Sequence, residues 1–381
     1  MSNNKISISK APFIILLILA FIVGGAFSAF IFMPRGEGDI LSQVNQSKLE
    51  EIDREISSQY YQDYKKEDLI EGIYKGYVEG LGDPYSAYMT KKEFSDWKQV
   101  NSGEYGGIGV TFTTDKNGNY LVLSVTEDSP ADKAGIKSGD YILKANGKTY
   151  DDSEILATHL RGEAGTDVDV TYVRKGKIKE VTITRAIIES KSVKYEMKGD
   201  DIGYIQIDSF IETTADDFAD ALESIEKKGA KGLVLDLRDN GGGLVDQSVE
   251  IADYFLDEGV VCYVEDKNGT TDTYTAHNGK TDLKTVVLVD GESASASEIL
   301  AGAMKDNGYE IVGETTFGKG IIQATAKLGD GSALKLTILR YLSPDKHEIH
   351  EKGIKPTVKV FDDEDTEADE QLEKAIKLLE K

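Results

Sequence analysis

Three short stretches carry side chains whose types and spacing suit nucleophilic catalysis. In Gly291-Glu292-Ser293-Ala294-Ser295-Ala296-Ser297-Glu298 an apolar strand-type run enters and a helix-type run leaves. A serine at such a corner lies beside helical N–H groups that lack an intrahelical partner, and such donors suit a developing oxyanion. The same residues also spell a capping box, Ser295 as the cap and Glu298 reaching back, which accounts for them without any chemistry. In Thr315-Thr316-Phe317-Gly318-Lys319-Gly320-Ile321-Ile322-Gln323 a lysine is hemmed by glycines. If residues 319–323 are extended, Lys319, Ile321 and Gln323 share a face. A lysine that acts as a base near neutral pH must lose about three units from a free pKa near 10.4, which costs roughly 4 kcal/mol. Burial without a carboxylate partner shifts it in that direction. Gln323 can orient the neutral amine without restoring its charge. A surface strand accounts for the same lysine equally well.

The third stretch is Asp236-Leu237-Arg238-Asp239-Asn240-Gly241-Gly242-Gly243-Leu244. Glycines after a strand and before a helix either present N–H groups to an anion or make a tight turn. No Gly-Lys-Ser/Thr follows, as a phosphate loop requires, and Asp246 stands where a dinucleotide fingerprint needs its third glycine. A Ser-His-Asp triad is the competing arrangement. The four histidines, His159, His277, His347 and His350, lie in no pattern that suggests an oriented base.

The elements around these stretches alternate. Residues 203–207, 232–237 and 285–290 read as strands, with helices expected over 215–228, 245–256 and 297–304, which argues an α/β domain. The unbroken apolar runs at 233–235 and 286–289 fit strands buried on both faces. Residues 101–185 instead give short β-type runs at 109–112, 121–125, 141–143, 168–173 and 181–184, separated by turn signals such as Asn146-Gly147. Ser129 before Pro130, with Gly135 closing, marks a short helix in that module. Upstream, Leu49, Ile52, Ile56, Leu69, Ile73 and Tyr77 recur at helical spacing over 42–82 and stop at Gly82-Asp83-Pro84. This arm is a spacer, a packing surface or a dimerisation element. Beyond the acidic Asp362-Asp363-Glu364-Asp365, Leu372, Ile376 and Leu379 predict a last amphipathic helix.

The chain has 381 residues and a formal net charge of -24, which disfavours phosphate backbones and hence a nucleic-acid partner. Cys262 is the one cysteine, so neither an intrachain disulfide nor a cysteine-rich zinc site is available. Residues 11–34 carry no charge, a length that spans a bilayer core as a single helix of about 20 residues. Lys5 and Lys10 precede the span and acidic residues dominate after Arg35, which predicts that the rest of the chain faces outward. The rival is a cleaved signal peptide ending near Ala26-Phe27-Ser28.

In combination and order, these stretches resemble the carboxyl-terminal processing (tail-specific) serine proteases. The likeness runs from about residue 81 to 357. It begins with Leu81-Gly82-Asp83-Pro84-Tyr85-Ser86-Ala87-Tyr88-Met89. Gly106-Gly107-Ile108-Gly109-Val110, Ser129-Pro130-Ala131 through Gly139-Asp140, and Ala145-Asn146-Gly147 are similar to a PDZ domain. The glycine, serine and lysine stretches above complete the likeness. The resemblance implies Ser295 as nucleophile, Lys319 as general base and Gln323 as its support. It implies oxyanion donors at the backbone N–H of Ala296 and of a glycine in 241–243, with Gly242 and Gly243 the candidates. It implies that the PDZ-like module adds a substrate's last residues as a strand and holds the terminal carboxylate in the N–H groups of Gly107, Ile108, Gly109 and Val110. Arg161 is a candidate for coupling that module to the catalytic part.

The expected fold is thus an α/β (α+β multidomain) chain: a cytoplasmic tail over 1–10, a transmembrane anchor over 11–34 and a helical arm over 35–100. A PDZ-like module follows over 101–185, then a protease core over 186–357 and an acidic C-terminal helix over 358–381. The expected activity is a Ser-Lys endopeptidase acting on exported or membrane-associated proteins with apolar carboxyl-terminal tails. No metal or organic cofactor is implied, and homodimerisation through the arm is possible. The alternative is a silent PDZ-bearing membrane scaffold that only captures tails.

Overall fold

The computed structural model describes residues 44–116, 118–269, 271–277, 279–362 and 368–380. Among these no helix is long and apolar enough to cross a membrane, and the expected span over 11–34 lies outside them. The described residues form two compact units, one made of those up to Phe94 with Gln323–Thr337, the other of Ser95–Ile322 with those from Ile338 onward.

In the first unit the helical pattern over 42–82 resolves into two helices, Gln46–Gln59 and Lys66–Glu79. Asn45 caps the first through its side chain, which accepts from Lys48 N. Gly80 caps the second, and Gly82 takes φ 69° in the turn that follows, where the sequence places its stop. The apolar stripe is left largely exposed: Leu49, Ile52, Ile73 and Tyr77 all face solvent, and Val78 is the buried residue of the second helix. The short strand Ala87–Met89 pairs antiparallel with Ala333–Lys335.

In the second unit a six-stranded sheet carries the chemistry-bearing loops. Its order is Val358–Lys359, Glu310–Gly313, Lys284–Val289, Gly232–Asp236, Ile202–Ile207 and Val193–Lys198. Every adjacent pair is parallel except the last. Leu233 and Leu235 pack on one face with Phe218, Ile225, Ile299 and Leu300 of the helices Thr214–Lys227 and Ala296–Asp306. Val234, Val286 and Leu288 pack on the other with Leu372, Ile376 and Leu379 of the helix Glu370–Leu379. Burial on both faces explains the unbroken apolar runs in these strands. In such sheets the loops at the carboxyl ends of the strands are where sites are built, and both the glycine loop and the Ser295 corner leave from that edge.

The β-rich module is a five-stranded antiparallel sheet in the order Val110–Thr114, Tyr120–Val125, Tyr141–Ala145, Asp167–Arg174 and Lys177–Thr184. Ser129 caps the helix Pro130–Lys133, its hydroxyl accepting from Asp132 N at 3.2 Å. The helix Ser153–Leu160 was not legible in the sequence. Its carboxyl end is held by buried Arg185, whose guanidinium donates to the carbonyls of His159, Leu160 and Asp167 and to the Thr166 hydroxyl. A cation that satisfies the last carbonyls of a helix is favourable there.

Candidate active site

Ser295 is the N-cap of the helix Ala296–Asp306 and has φ 56° and ψ -112°. A left-handed φ in a residue with a Cβ is strained, and strain of this kind collects at functional sites. The corner that imposes it is tied down by its neighbours. Ser293 donates its hydroxyl to the Leu237 carbonyl at 2.8 Å, and Ser297 donates to the Asn240 carbonyl at 2.9 Å. Asn240, fully buried, bonds the Ile207 carbonyl through its amide nitrogen at 2.7 Å, and its backbone carbonyl also accepts from Ala294 N at 3.0 Å. The glycine loop and the serine corner are therefore one hydrogen-bonded body.

Two side chains join Ser295 to Lys319. The Glu298 carboxylate is completely buried. Its Oε2 accepts from Ser295 N at 2.9 Å and from Lys319 N at 2.8 Å, while Oε1 accepts from Gly318 N at 2.7 Å and the Thr316 hydroxyl at 2.5 Å. On the other side the Tyr341 hydroxyl lies 3.0 Å from the Ser295 carbonyl and 2.6 Å from the Lys319 carbonyl. The two backbones are thus pinned by one carboxylate oxygen through their N–H groups and by one phenol through their carbonyls. Burial, with the Glu298 charge beside it, pushes the Tyr341 phenol well above its usual range, so it stays a neutral donor.

The Lys319 segment is clamped from behind as well. Gly320 abuts the backbone of His350, where a Cβ would lie 2.3 Å from its nitrogen. Gly318 has φ 93° and accepts from Glu351 N at 2.8 Å. The glycines that flank the lysine are there because another strand of backbone passes too close for a side chain. Lys319 itself is half-buried. It precedes the strand, which begins at Ile321. Gln323, in that strand and in the first compact unit, donates to the Thr337 hydroxyl at 3.2 Å.

The candidate oxyanion donors divide. Ala296 N, the first of the helix, has no partner among the described residues, as expected for that position. Gly242 packs directly against the corner: a Cβ there would meet the Ala294 carbonyl at 2.6 Å and Ser295 Cβ at 2.8 Å. Its N–H, however, donates to the Asn240 side chain at 2.8 Å. Gly243 N has no partner among the described residues, and a Cβ at Gly243 would lie 2.1 Å from the Phe210 carbonyl oxygen. Three of the four histidines are engaged elsewhere: His159 stacks on Tyr150, His277 lies by Asp253 and His347 by Asp306. His350 is exposed, and its backbone passes beside Gly320.

Sequence reading named Ser295, Lys319 and the glycines but missed Tyr341 and Asn240, and saw Glu298 only as a cap. Tyr341 sits in an apolar strand with nothing to mark it. Glu298 carried a visible signal, a glutamate three residues into a helix that proves to have no exposure.

In the β-rich module, a groove of about 310 Å³ runs between the edge strand Val110–Thr114 and the helix Ser153–Leu160. Ile108, Val110, Phe112 and Leu160 give it an apolar lining. At its end the N–H groups of Ile108 and Gly109 donate to nothing among the described residues. Gly109 has φ 81° and lies against Ser129, so the turn that exposes them needs glycine. Arg161 lies at the mouth, its guanidinium 5.1 Å from the centre of the Tyr105 ring.

Family models match three parts of the chain: peptidase family S41 over residues 201–360, a PDZ domain over 106–184, and the N-terminal domain of the activating protease CtpB over 35–93. The carboxy-terminal processing protease CtpA of Bacillus subtilis (strain 168) is 41% identical over 360 residues, covering 91% of this chain and 76% of that protein. The chain belongs to peptidase family S41. A probable CtpA-like serine protease of Staphylococcus aureus (strain MRSA252) is 36% identical over 370 residues, 94% of this chain and 74% of that protein. Among solved structures, a photosystem II D1 C-terminal processing protease matches with a TM-score of 0.50 at 28% identity, over 83% of this chain and 87% of that one. The chain is accordingly a serine-type carboxy-terminal processing peptidase with a PDZ domain, and its S41 core holds the Ser295 corner.

Proposed function

We propose that this S41 peptidase cuts exported or membrane-associated proteins near their carboxyl termini by a Ser-Lys mechanism. Ser295 attacks the scissile carbonyl, the Lys319 amine takes its proton, and water releases the acyl-enzyme. Gln323 supports the amine. The oxyanion forms against Ala296 N and a glycine of the 241–243 loop. Gly243, whose N–H has no partner among the described residues, serves as the second donor more readily than Gly242, whose N–H is held by Asn240. The observation that carries this reading is the shared pinning of Ser295 and Lys319 by Glu298 and Tyr341. A serine and a lysine with unrelated tasks would need no common scaffold of that kind.

The PDZ groove selects the substrate. An extended tail pairs with the free edge of Val110–Thr114, its last side chain enters the apolar groove, and its carboxylate meets the N–H groups at 107–110. Arg161, at the groove mouth, couples occupancy to the core. Residues 11–34 anchor the enzyme, with the catalytic part outside the cytoplasm. The exposed stripe of the arm at Leu49, Ile52 and Ile73 supports pairing of two copies. Domain limits at 35–100, 101–185, 186–357 and 358–381 fit this division of labour.

The test is cleavage of an unstructured model protein by the full-length chain. Activity is expected in the parent and absent in Ser295→Ala and Lys319→Ala. Equal behaviour of parent and Ser295→Ala would favour a silent tail-binding scaffold. A tolerated Lys319→Ala with a lethal histidine substitution would favour a triad.

A further inference from the structure

The far end of the nucleophile helix carries a cluster that the peptidase reaction does not use. Asp306, Asp345 and His347 each bring one metal-binding atom within 4.8 Å of the others. We propose that these three residues bind a divalent transition-metal ion that ties the turn after Leu342 to the carboxyl end of the helix Ala296–Asp306.

Asp306 is the last residue of that helix, and its side chain is only 6% exposed. A buried anion at a helix carboxyl end opposes the helix dipole, so a cation there is favoured. One Asp306 oxygen, Oδ2, accepts from Asp345 N at 2.9 Å. The other, Oδ1, faces His347 Nδ1 at 3.6 Å, too far for a hydrogen bond. That separation instead suits two ligands of one ion, since metal–ligand bonds of about 2.0–2.1 Å put tetrahedral ligands roughly 3.3–3.5 Å apart.

The turn is rigid before any ion arrives. Lys346 takes φ 61°, its N–H bonds the Ser343 carbonyl at 2.8 Å, and Ser343 N bonds the His347 carbonyl at 3.1 Å. Asp345 and His347 are thereby fixed on one short loop opposite Asp306. The Ser343 hydroxyl accepts from His347 N at 3.2 Å and lies 3.4 Å from Nδ1, so it is the ring's polar neighbour when no ion is bound. Two carboxylates and one imidazole suit Zn²⁺ or Mn²⁺ and fall short of the six to eight oxygens that Ca²⁺ takes. Exposure of Asp345 and His347 leaves room for water at the remaining positions. The ion's role is structural, because an 11-residue helix, about 16 Å long, separates it from Ser295.

The experiment is titration of the untagged, chelator-stripped full-length chain with Zn²⁺ alone, followed by calorimetry and thermal unfolding, with Mg²⁺ as the counter-probe. One Zn²⁺ per chain and a raised unfolding midpoint are expected. His347→Ala and Asp345→Asn, both at exposed positions, should each weaken binding at least tenfold, and His277→Ala should not. Absence of saturable binding, or equal Zn²⁺ affinity in parent and His347→Ala, would overturn the proposal and leave the cluster an ordinary histidine–aspartate contact.

Discussion

Glu298 accepts four hydrogen bonds in a site with no exposure, three of them from backbone N–H groups. A carboxylate suits that setting because it is acceptor-only. Glu298→Gln keeps the shape but turns an NH₂ toward two of those donors. It is expected to lower kcat by at least tenfold and stability by about 2–3 kcal/mol, read by peptide hydrolysis and thermal unfolding. Parent-like kcat with lowered stability would make the residue structural alone. Gly242→Ala places a methyl group 2.6 Å from the Ala294 carbonyl at φ 96°. Cleavage should fall by about 10²-fold or more, in the range of a lost oxyanion donor, and kinetics on a short peptide will measure it. The residues proposed to react stand out in the sequence because serine, lysine and glycine are conspicuous at a strand-to-helix corner. The residues that hold them do not, because a buried tyrosine or asparagine shows its task only through the neighbours that folding supplies.

At the scale of elements, the parallel strands and their helices were legible because strands buried on both faces and amphipathic helices leave periodic apolar patterns. The helix Ser153–Leu160 left a weak one. The hairpin Gly259–Asp266 with Thr271–Ala276 mixes polar and apolar residues on a half-exposed sheet and left no clear alternation. Neither sequence element alone predicts the bond that locks the PDZ sheet: Arg174 Nε reaches Asp140 Oδ1 at 2.7 Å across 34 residues, with Lys137 N bonded to Oδ2 at 2.8 Å. Burial alone would raise the Asp140 carboxyl, but Arg174 and the Lys137 N–H hold it below the usual carboxylate range. A depressed folded pKa contributes stability that is complete above the unfolded value, near 3.9, and disappears as pH falls through the folded one. PDZ stability should therefore decline below about pH 4. Asp140→Asn should cost about 3 kcal/mol at neutral pH and flatten that acid limb. Hydrogen exchange of the strand Asp167–Arg174 across pH follows both, and an unchanged acid limb would assign it to other carboxylates.

At the scale of the molecule, a PDZ module and a peptidase core share one chain, and the proposed division of labour predicts that recognition and cleavage can be separated. A peptide ending in apolar residues with a free carboxylate should bind the Ser295→Ala chain, and amidation of its terminus should weaken binding at least tenfold, because the N–H groups of Ile108 and Gly109 donate to nothing among the described residues and suit a carboxylate. Fluorescence titration with the paired peptides decides it, and equal affinities would remove the carboxylate from recognition. The central claim is that Ser295 is nucleophilic because Lys319 takes its proton. Its most direct measurement is the rate at which a fluorophosphonate labels the full-length enzyme, with the adduct located by mass spectrometry. A single adduct on Ser295, formed at least a hundredfold more slowly in Lys319→Ala, is the predicted result. Labelling of Ser295 at an equal rate in the two proteins, or labelling of a different serine, would contradict it.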